Sequence, residues 1–222
     1  MTVQYKYYIC DVFTKKRFGG NPLAVFPEAE GLTDNQMLQI AREFNFSESS
    51  FVFPPEYGNT RKVRIFTPAL EVPFAGHPNI GTAFVLASSG MIGDLHESTE
   101  IIFEEIAGLV PIFLRKFDDG SIWCELQAPD KLSIGEKVSV EDLASAISLK
   151  SGDIITDTHP PQHTSVGLPF VITELKDRQA LKKASVNIEG FKKLASKYNT
   201  RFTHIYIPVS YTHLTLPTTP YV

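Results

Sequence analysis

The stretch AGHPNIGTAFVLASSG, residues 75–90, decides the fold. Pro78 suits the first turn of a helix, where no amide hydrogen needs a partner. Gly90 suits its C-terminal stop. Between them Ile80, Ala83, Phe84, Val85, Leu86 and Ala87 are apolar on nearly every side. A helix that is apolar all round is buried all round, so this segment predicts a central helix with the rest of a domain wrapped about it.

The wrapping material lies on both sides. Upstream, residues 3–13 and 23–27 are rich in aromatic and β-branched types and read as strands, separated by the loop at Gly19-Gly20-Asn21-Pro22. Thr33 opens a helix. Gln36 stands three residues on, where the two can form a capping box, and Met37, Ile40, Ala41 and Phe44 recur at helical spacing. Asn45 is the expected stop. Residues 49–53 and 61–67 read as two more strands, the second with Val63 and Ile65 on one face and Arg64 and Phe66 on the other. Downstream, residues 99–104, 109–115 and 121–127 form a meander turned at Gly108 and at Asp118-Asp119-Gly120. The fold class is therefore α+β, a β-roll around a buried helix, occupying residues 1–127.

Residues 128–139 are polar, carry Pro129 and Gly135, and read as a domain boundary. A helix follows at Val140, Leu143, Ala144 and Ile147, then a strand within 163–173, a helix at Phe191, Leu194, Ala195 and Tyr198, and a strand at 202–207. Residues 128–208 thus begin a second domain. The last stretch, residues 209–222, VSYTHLTLPTTPYV, has no Asp, Glu, Lys, Arg or Gly and fits neither amphipathic period. It resembles a translated sequencing adapter and is expected to be non-native and unpacked.

Composition bounds the function. The chain has 222 residues, 43% hydrophobic and 21% charged, with a formal charge of −4, so neither nucleic acid nor a membrane is expected as partner. The Lys15-Lys16-Arg17 cluster reads as a solvated loop. No apolar run is long enough to span a bilayer, and MTVQYKYY lacks the plan of a signal peptide, so a cytoplasmic location is expected. Cys10 and Cys124 sit in apolar strands and read as buried free thiols. His159 and His163 stand four apart in a Pro-rich loop without further ligands in view, so no metal site is expected. There is no GxGxxG and no P-loop, and hence no sign of a nucleotide cofactor.

Two residues carry candidate chemistry. Glu48 lies between a helix and a strand, in Ser47-Glu48-Ser49-Ser50. Partial burial there would raise its pKa and suit it to moving protons near neutral pH, although a solvated loop glutamate fits the residues as well. His77 sits where loop becomes buried helix and reads either as a site residue or as a capping histidine. Gly76 would let the backbone approach a ligand, and the amides of Asn79, Ile80 and Gly81 would offer an anion site at the helix start.

Three strings taken together, DVFTKKRFGGNPLAVF at 11–26, AREFNFSESSFV at 41–52 and FTPALEVPFAGHPNIGTA at 66–83, resemble the N-terminal half of the PhzF-like phenazine-biosynthesis family, which has the diaminopimelate-epimerase fold. The resemblance is strong over residues 7–127 and thin to 208. It implies a cofactor-independent isomerase that moves a proton between carbons of a small carboxylate-bearing substrate, working as a homodimer. It places the general acid/base at Glu48 and a catalytic histidine at His77, with Ser47, Gly76, Asn79 and Gly81 as candidate substrate contacts. A racemase or epimerase on the same fold, or a binding protein without catalysis, are the alternatives. A cysteine-pair racemase is disfavoured, because Gly76-His77-Pro78 stands where that type has a cysteine. Family members are longer, and their second half supplies an aspartate and a serine in a string of the type DPVTGSA that this sequence lacks. The chain alone is therefore expected to fold poorly and to be a poor enzyme.

Overall fold

A computed structural model describes residues 3–201 and 203–206; the stretch 209–222 lies outside the described residues. The chain divides into two compact units, at Pro129 and Asp130.

The first unit contains β1 (Tyr8–Val12), β2 (Asn21–Phe26), α1 (Asp34–Phe44), β3 (Glu48–Phe53), β4 (Arg61–Phe66), β5 (Glu71–Val72), α2 (Gly76–Ser88), β6 (Thr99–Glu105), β7 (Gly108–Lys116) and β8 (Ile122–Leu126). Its sheet runs in the order β1-β2-β3-β4-β6-β7-β8, with β5 paired to β4. The β2/β3 and β4/β6 pairs are parallel, because a connection crosses between them; the other pairs are antiparallel.

The sheet curls around α2, which packs on β1, β2, β3, β7 and β8. Every residue of α2 from His77 to Ala87 is buried. Burial of each large side chain there, such as Leu86 or Val85, contributes about 1.5–3 kcal/mol. Gly81 makes the close approach possible. A Cβ on it would stand 2.6 Å from the Leu23 side chain and 2.8 Å from that of Val12.

A second layer covers the outer face. Met37 and Ala41 of α1 press on Ala24, Phe26, Phe51 and Phe66, and the Phe26 and Phe51 rings stack at 5.0 Å. Phe66 is therefore as buried as Ile65, since both faces of this part of the sheet are covered. The capping box at Thr33 and Gln36 is formed in both directions, and Asn45 ends α1 with φ +53°.

Two boundaries differ from the sequence reading. Residues 3–7 are not strand, because pairing with β2 begins at Tyr8↔Val25. Asn21 and Pro22 belong to β2 and not to the preceding loop. Pro22 pairs with Asp11, whose side chain is occupied in accepting the Phe18 amide at 2.7 Å. The Lys15-Lys16-Arg17 cluster is exposed on the loop so formed.

The second unit contains β9 (Ser133–Lys137), α3 (Val140–Ala146), β10 (Ile154–Ile155), β11 (Gln162–Ser165), β12 (Pro169–Leu175), α4 (Arg178–Lys183), α5 (Ile188–Tyr198) and β13 (Thr203–Tyr206). Its sheet order is β10-β12-β11-β9, with β13 parallel to β12. Leu143, Val171, Leu175 and Leu194 centre its core. The polar stretch read as a boundary contains β9, all of whose residues are exposed. Neither β9, the two-residue β10 nor the short α4 gave a periodic signal.

Candidate active site

The starts of three elements meet at one place: β2, its parallel neighbour β3, and α2. Parallel pairing sets Glu48 opposite Leu23, so the first turn of α2 faces both strand starts. His77 Nδ1 lies 3.3 Å from Glu48 Oε2. Ser47 Oγ donates to Asn21 Oδ1 at 3.0 Å, which ties the entry of β3 to the entry of β2. One turn into the helix, the buried Ser50 and Thr82 hydroxyls share a hydrogen bond of 2.7 Å that fixes β3 against α2.

Burial controls the electrostatics. It raises the Glu48 carboxyl above its ordinary value, with the Ser47 hydroxyl offsetting part of the effect. It also depresses His77 to about 4, and the Pro22 carbonyl beside the ring only partly opposes this. Both shifts favour the uncharged forms. The His77 ring is therefore neutral near pH 7, and its 3.3 Å approach to Glu48 is not an ion pair. Neither Glu48 Oε2 nor His77 Nε2 has a hydrogen-bond partner among the described residues. Two buried polar atoms of neighbouring side chains are thus left without a hydrogen-bond partner.

The helix start differs in detail from the sequence reading. The N-cap is Ala75, so Asn79 already bonds back to the Ala75 carbonyl at 3.4 Å, and Ile80 and Gly81 lie deeper in the helix. Pro78 has no amide hydrogen. The uncommitted amides are those of Gly76 and His77. Asn79 and Gly81 are enclosed within the roll, Gly81 against Leu23, Val12 and Cys10, so neither is placed to touch a ligand. Gly76 has room for a Cβ, its nearest neighbour being Leu126 at 3.9 Å. Asn21, read from sequence as part of a structural turn, joins the site through Ser47.

Other features lie elsewhere. Both cysteines are buried and free, and burial pushes Cys10 up to about 12 and Cys124 higher still, so neither is a ready proton carrier. In the second unit His159 is held between the Pro160 carbonyl and the Tyr206 hydroxyl. Among the described residues no cluster of three or more His, Cys, Asp or Glu side chains could hold a metal, and no helix is long and apolar enough to cross a membrane. An open cavity of about 570 Å³ lies at the opposite end of α2, walled by Phe84, Ala87, Lys116 and Asp119, away from Glu48 and His77.

A curled sheet about a buried central helix, with a histidine in its first turn against a partly buried glutamate, defines a class of α+β roll-fold proteins. Comparison places the chain more closely. Residues 10–212 match the family model of the phenazine biosynthesis-like proteins, PhzC-PhzF, and the chain belongs to that family. Over 170 residues it is 34% identical to trans-2,3-dihydro-3-hydroxyanthranilate isomerase of Pseudomonas aeruginosa, an alignment that covers 75% of this chain and 58% of that enzyme. Among solved structures it resembles the PhzF-family phenazine biosynthesis protein of Bacillus anthracis, with TM-score 0.76, 27% identity, and coverage of 93% of this chain and 68% of that one. It also resembles a predicted epimerase of Pseudomonas aeruginosa, with TM-score 0.78, 27% identity, and coverage of 91% and 70%. The chain spans between 40% and 64% of the length of the curated relatives it matches.

Proposed function

We propose that this chain provides the Glu48 half of a cofactor-independent isomerase acting on a small carboxylate-bearing, unsaturated substrate. The observation that carries the reading is the 3.3 Å contact of a partly buried, pKa-raised glutamate with a neutral histidine in the first turn of α2. Glu48 as carboxylate takes a proton from one carbon; the electron pair enters the conjugated system and the double bond shifts. Glu48, now the acid, returns the proton to another carbon. A raised pKa suits both halves of this cycle. His77 as neutral imidazole offers a donor to the developing charge, and the Gly76 and His77 amides hold the substrate carboxylate. No electrons leave the substrate, so the scheme calls for neither metal nor redox cofactor.

The name of the Pseudomonas aeruginosa relative specifies a carboxylate-bearing dihydro ring, which is the substrate class taken here. Residues beyond the span of this chain would supply the facing wall, so the chain alone is proposed to be a weak catalyst. A homodimer of a longer chain, in the cytoplasm, completes the proposal. Epimerisation at a single carbon is the second reading, favoured by the similarity to a predicted epimerase.

The test uses a chain extended to the length of its relatives, incubated in D2O with dihydroaromatic and hydroxy acids. Deuterium appearing at a carbon other than the one deprotonated supports isomerisation, and deuterium with inversion at one carbon supports epimerisation. No Glu48-dependent exchange with any of them would overturn both readings.

A further inference from the structure

Glu105, the last residue of β6, carries a carboxyl group that the proposed reaction does not use. Strand alternation sends Ile101, Phe103 and Glu105 to one face, and Ile101 and Phe103 are core residues. The side chain of Glu105 therefore enters the roll, whereas Glu104 turns outward to accept the amides of Glu56, Tyr57 and Asn59. Both Glu105 carboxyl oxygens are sealed from solvent, and neither closes a hydrogen bond. Asn79 of α2 is fully buried, and its Oδ1 and Nδ2 are equally without a partner. Its amide is the side-chain group that acts on the Glu105 carboxyl, offsetting part of the effect of burial, although as the two side chains stand no hydrogen bond closes between them.

Four orphaned polar atoms on two adjacent buried side chains call for a mutual solution. A carboxylate cannot provide it, because it only accepts: it would take the Asn79 N–H and leave Oδ1 empty. A carboxylic acid matches the set. Its O–H donates to Oδ1 while its carbonyl oxygen accepts from Nδ2, closing a planar ring of two bonds. We propose that Glu105 is held as the acid in a reciprocal pair with Asn79, and that the pair is a positioning device for the active site.

The place of the pair gives it that role. The Ala107 amide, in the β6–β7 turn, donates to the Pro73 carbonyl at 3.1 Å, just ahead of α2. The end of β6 thus grips the chain at Pro73 before the helix and at Asn79 within it, and His77 lies between. Burial raises the Glu105 carboxyl to about 8, in keeping with an acid at neutral pH. The charged groups nearby are committed elsewhere: Lys62 to Glu56, Arg64 to Glu71 and Asp34, Glu104 to backbone amides, and His77 to Glu48. None of them is among the groups acting on Glu105. The pair stands on its own geometry, and only its catalytic consequence rests on the isomerase reading.

The experiment follows the Glu105 carboxyl and the His77 imidazole by NMR titration of this chain, with three variants. Glu105 in the native chain is expected to titrate near pH 8, and the Asn79 side-chain N–H to be protected at pH 6 and exposed above pH 9. Glu105→Gln keeps a two-bond amide pair without a titrating proton. It should abolish the pH 8 transition and leave the His77 titration where it was. Because a raised carboxyl pKa favours folding only while the proton is held, stability of the native chain relative to this variant should fall as pH rises from about 4.5 to about 8. Glu105→Leu and Asn79→Leu should each move the His77 titration and speed amide exchange in the first turn of α2. A Glu105 that titrates in the ordinary carboxylate range overturns the proposal. So does a Gln variant as disturbed as the Leu variants, or Leu variants with an unmoved His77. If the Leu variants do not fold, the native titration and the Gln variant still decide. In the extended chain, turnover should decline above pH 8 in the native form and not in Glu105→Gln. Absence of turnover in every form would tell against the isomerase reading while the NMR results judge the pair.

Discussion

The Ser50 and Thr82 hydroxyls share a 2.7 Å hydrogen bond in the fully buried seam between β3 and α2. Ser50 stands two residues after Glu48, and Thr82 lies on the helix whose first turn carries His77, so this bond ties together the two elements that carry the site residues. Ser50→Ala would leave the Thr82 hydroxyl buried and unpaired, at a cost of about 1–3 kcal/mol. Adding Thr82→Val removes the orphan and keeps the shape. The double variant should therefore regain most of the stability lost by the single one in urea unfolding. Additive losses would mean that the hydroxyls do not work as a pair.

Glu48→Gln preserves size and hydrogen-bonding reach but cannot carry a proton. In a chain extended to the length of the relatives, turnover should drop by about 10²–10⁴-fold, the usual contribution of general acid/base catalysis, with ligand affinity changed far less. The check is kcat beside a directly measured Kd. A variant within a factor of two of the parent would remove Glu48 from the mechanism.

His77 makes the fold acid-sensitive. Its folded pKa of about 4 lies below the ordinary 6.5, so between those values the unfolded chain binds the extra proton and unfolding gains. Stability attributable to this residue is present above pH 6.5 and is lost as pH falls to 4, about 3 kcal/mol in all. His77→Asn should flatten that limb of the stability profile measured by denaturant midpoint from pH 7 to pH 4. An unchanged acid limb would show that His77 stays accessible to protons in the fold.

How far all this was legible in the sequence follows from where each signal resides. The central helix was legible because apolarity on every face is a property of consecutive residues, and the capping box and the Asn45 stop because they are local chemistry. The meeting of Glu48 and His77 was expected only through family resemblance, since nothing local sets a glutamate beside a histidine of another element. The amides open at the start of α2 were misplaced because its N-cap is Ala75, which has no capping side chain to mark the boundary. Glu105 was missed because its raised pKa comes from burial of its side chain, a tertiary fact; in sequence Glu104 and Glu105 are indistinguishable. The exposed β9, SIGEK, presents no apolar face to betray it.

Two glycines offer a comparison that separates kinds of close packing. At Gly81 an added Cβ meets side-chain ends, Leu23 at 2.6 Å, Val12 at 2.8 Å and Cys10 Sγ at 3.1 Å. At Gly190, where α5 crosses α3, it meets backbone: the Ser145 carbonyl oxygen at 2.6 Å, its carbon at 2.7 Å and the Ala146 nitrogen at 2.9 Å. Side-chain ends can turn aside, though those three residues have no exposed surface into which to move. Backbone cannot turn aside, so the two helices must part and lose contacts along their length. Overpacking typically costs about 1–3 kcal/mol, and replacing a helical glycine by alanine returns up to about 1 kcal/mol of propensity. Gly81→Ala should therefore lose about 1–2 kcal/mol, with the α2 amides still among the slowest to exchange. Gly190→Ala should lose more, about 2–3 kcal/mol, and hydrogen exchange should quicken in both α3 and α5. If Gly190→Ala proves the milder of the two, the α3–α5 crossing is looser than its backbone contacts imply.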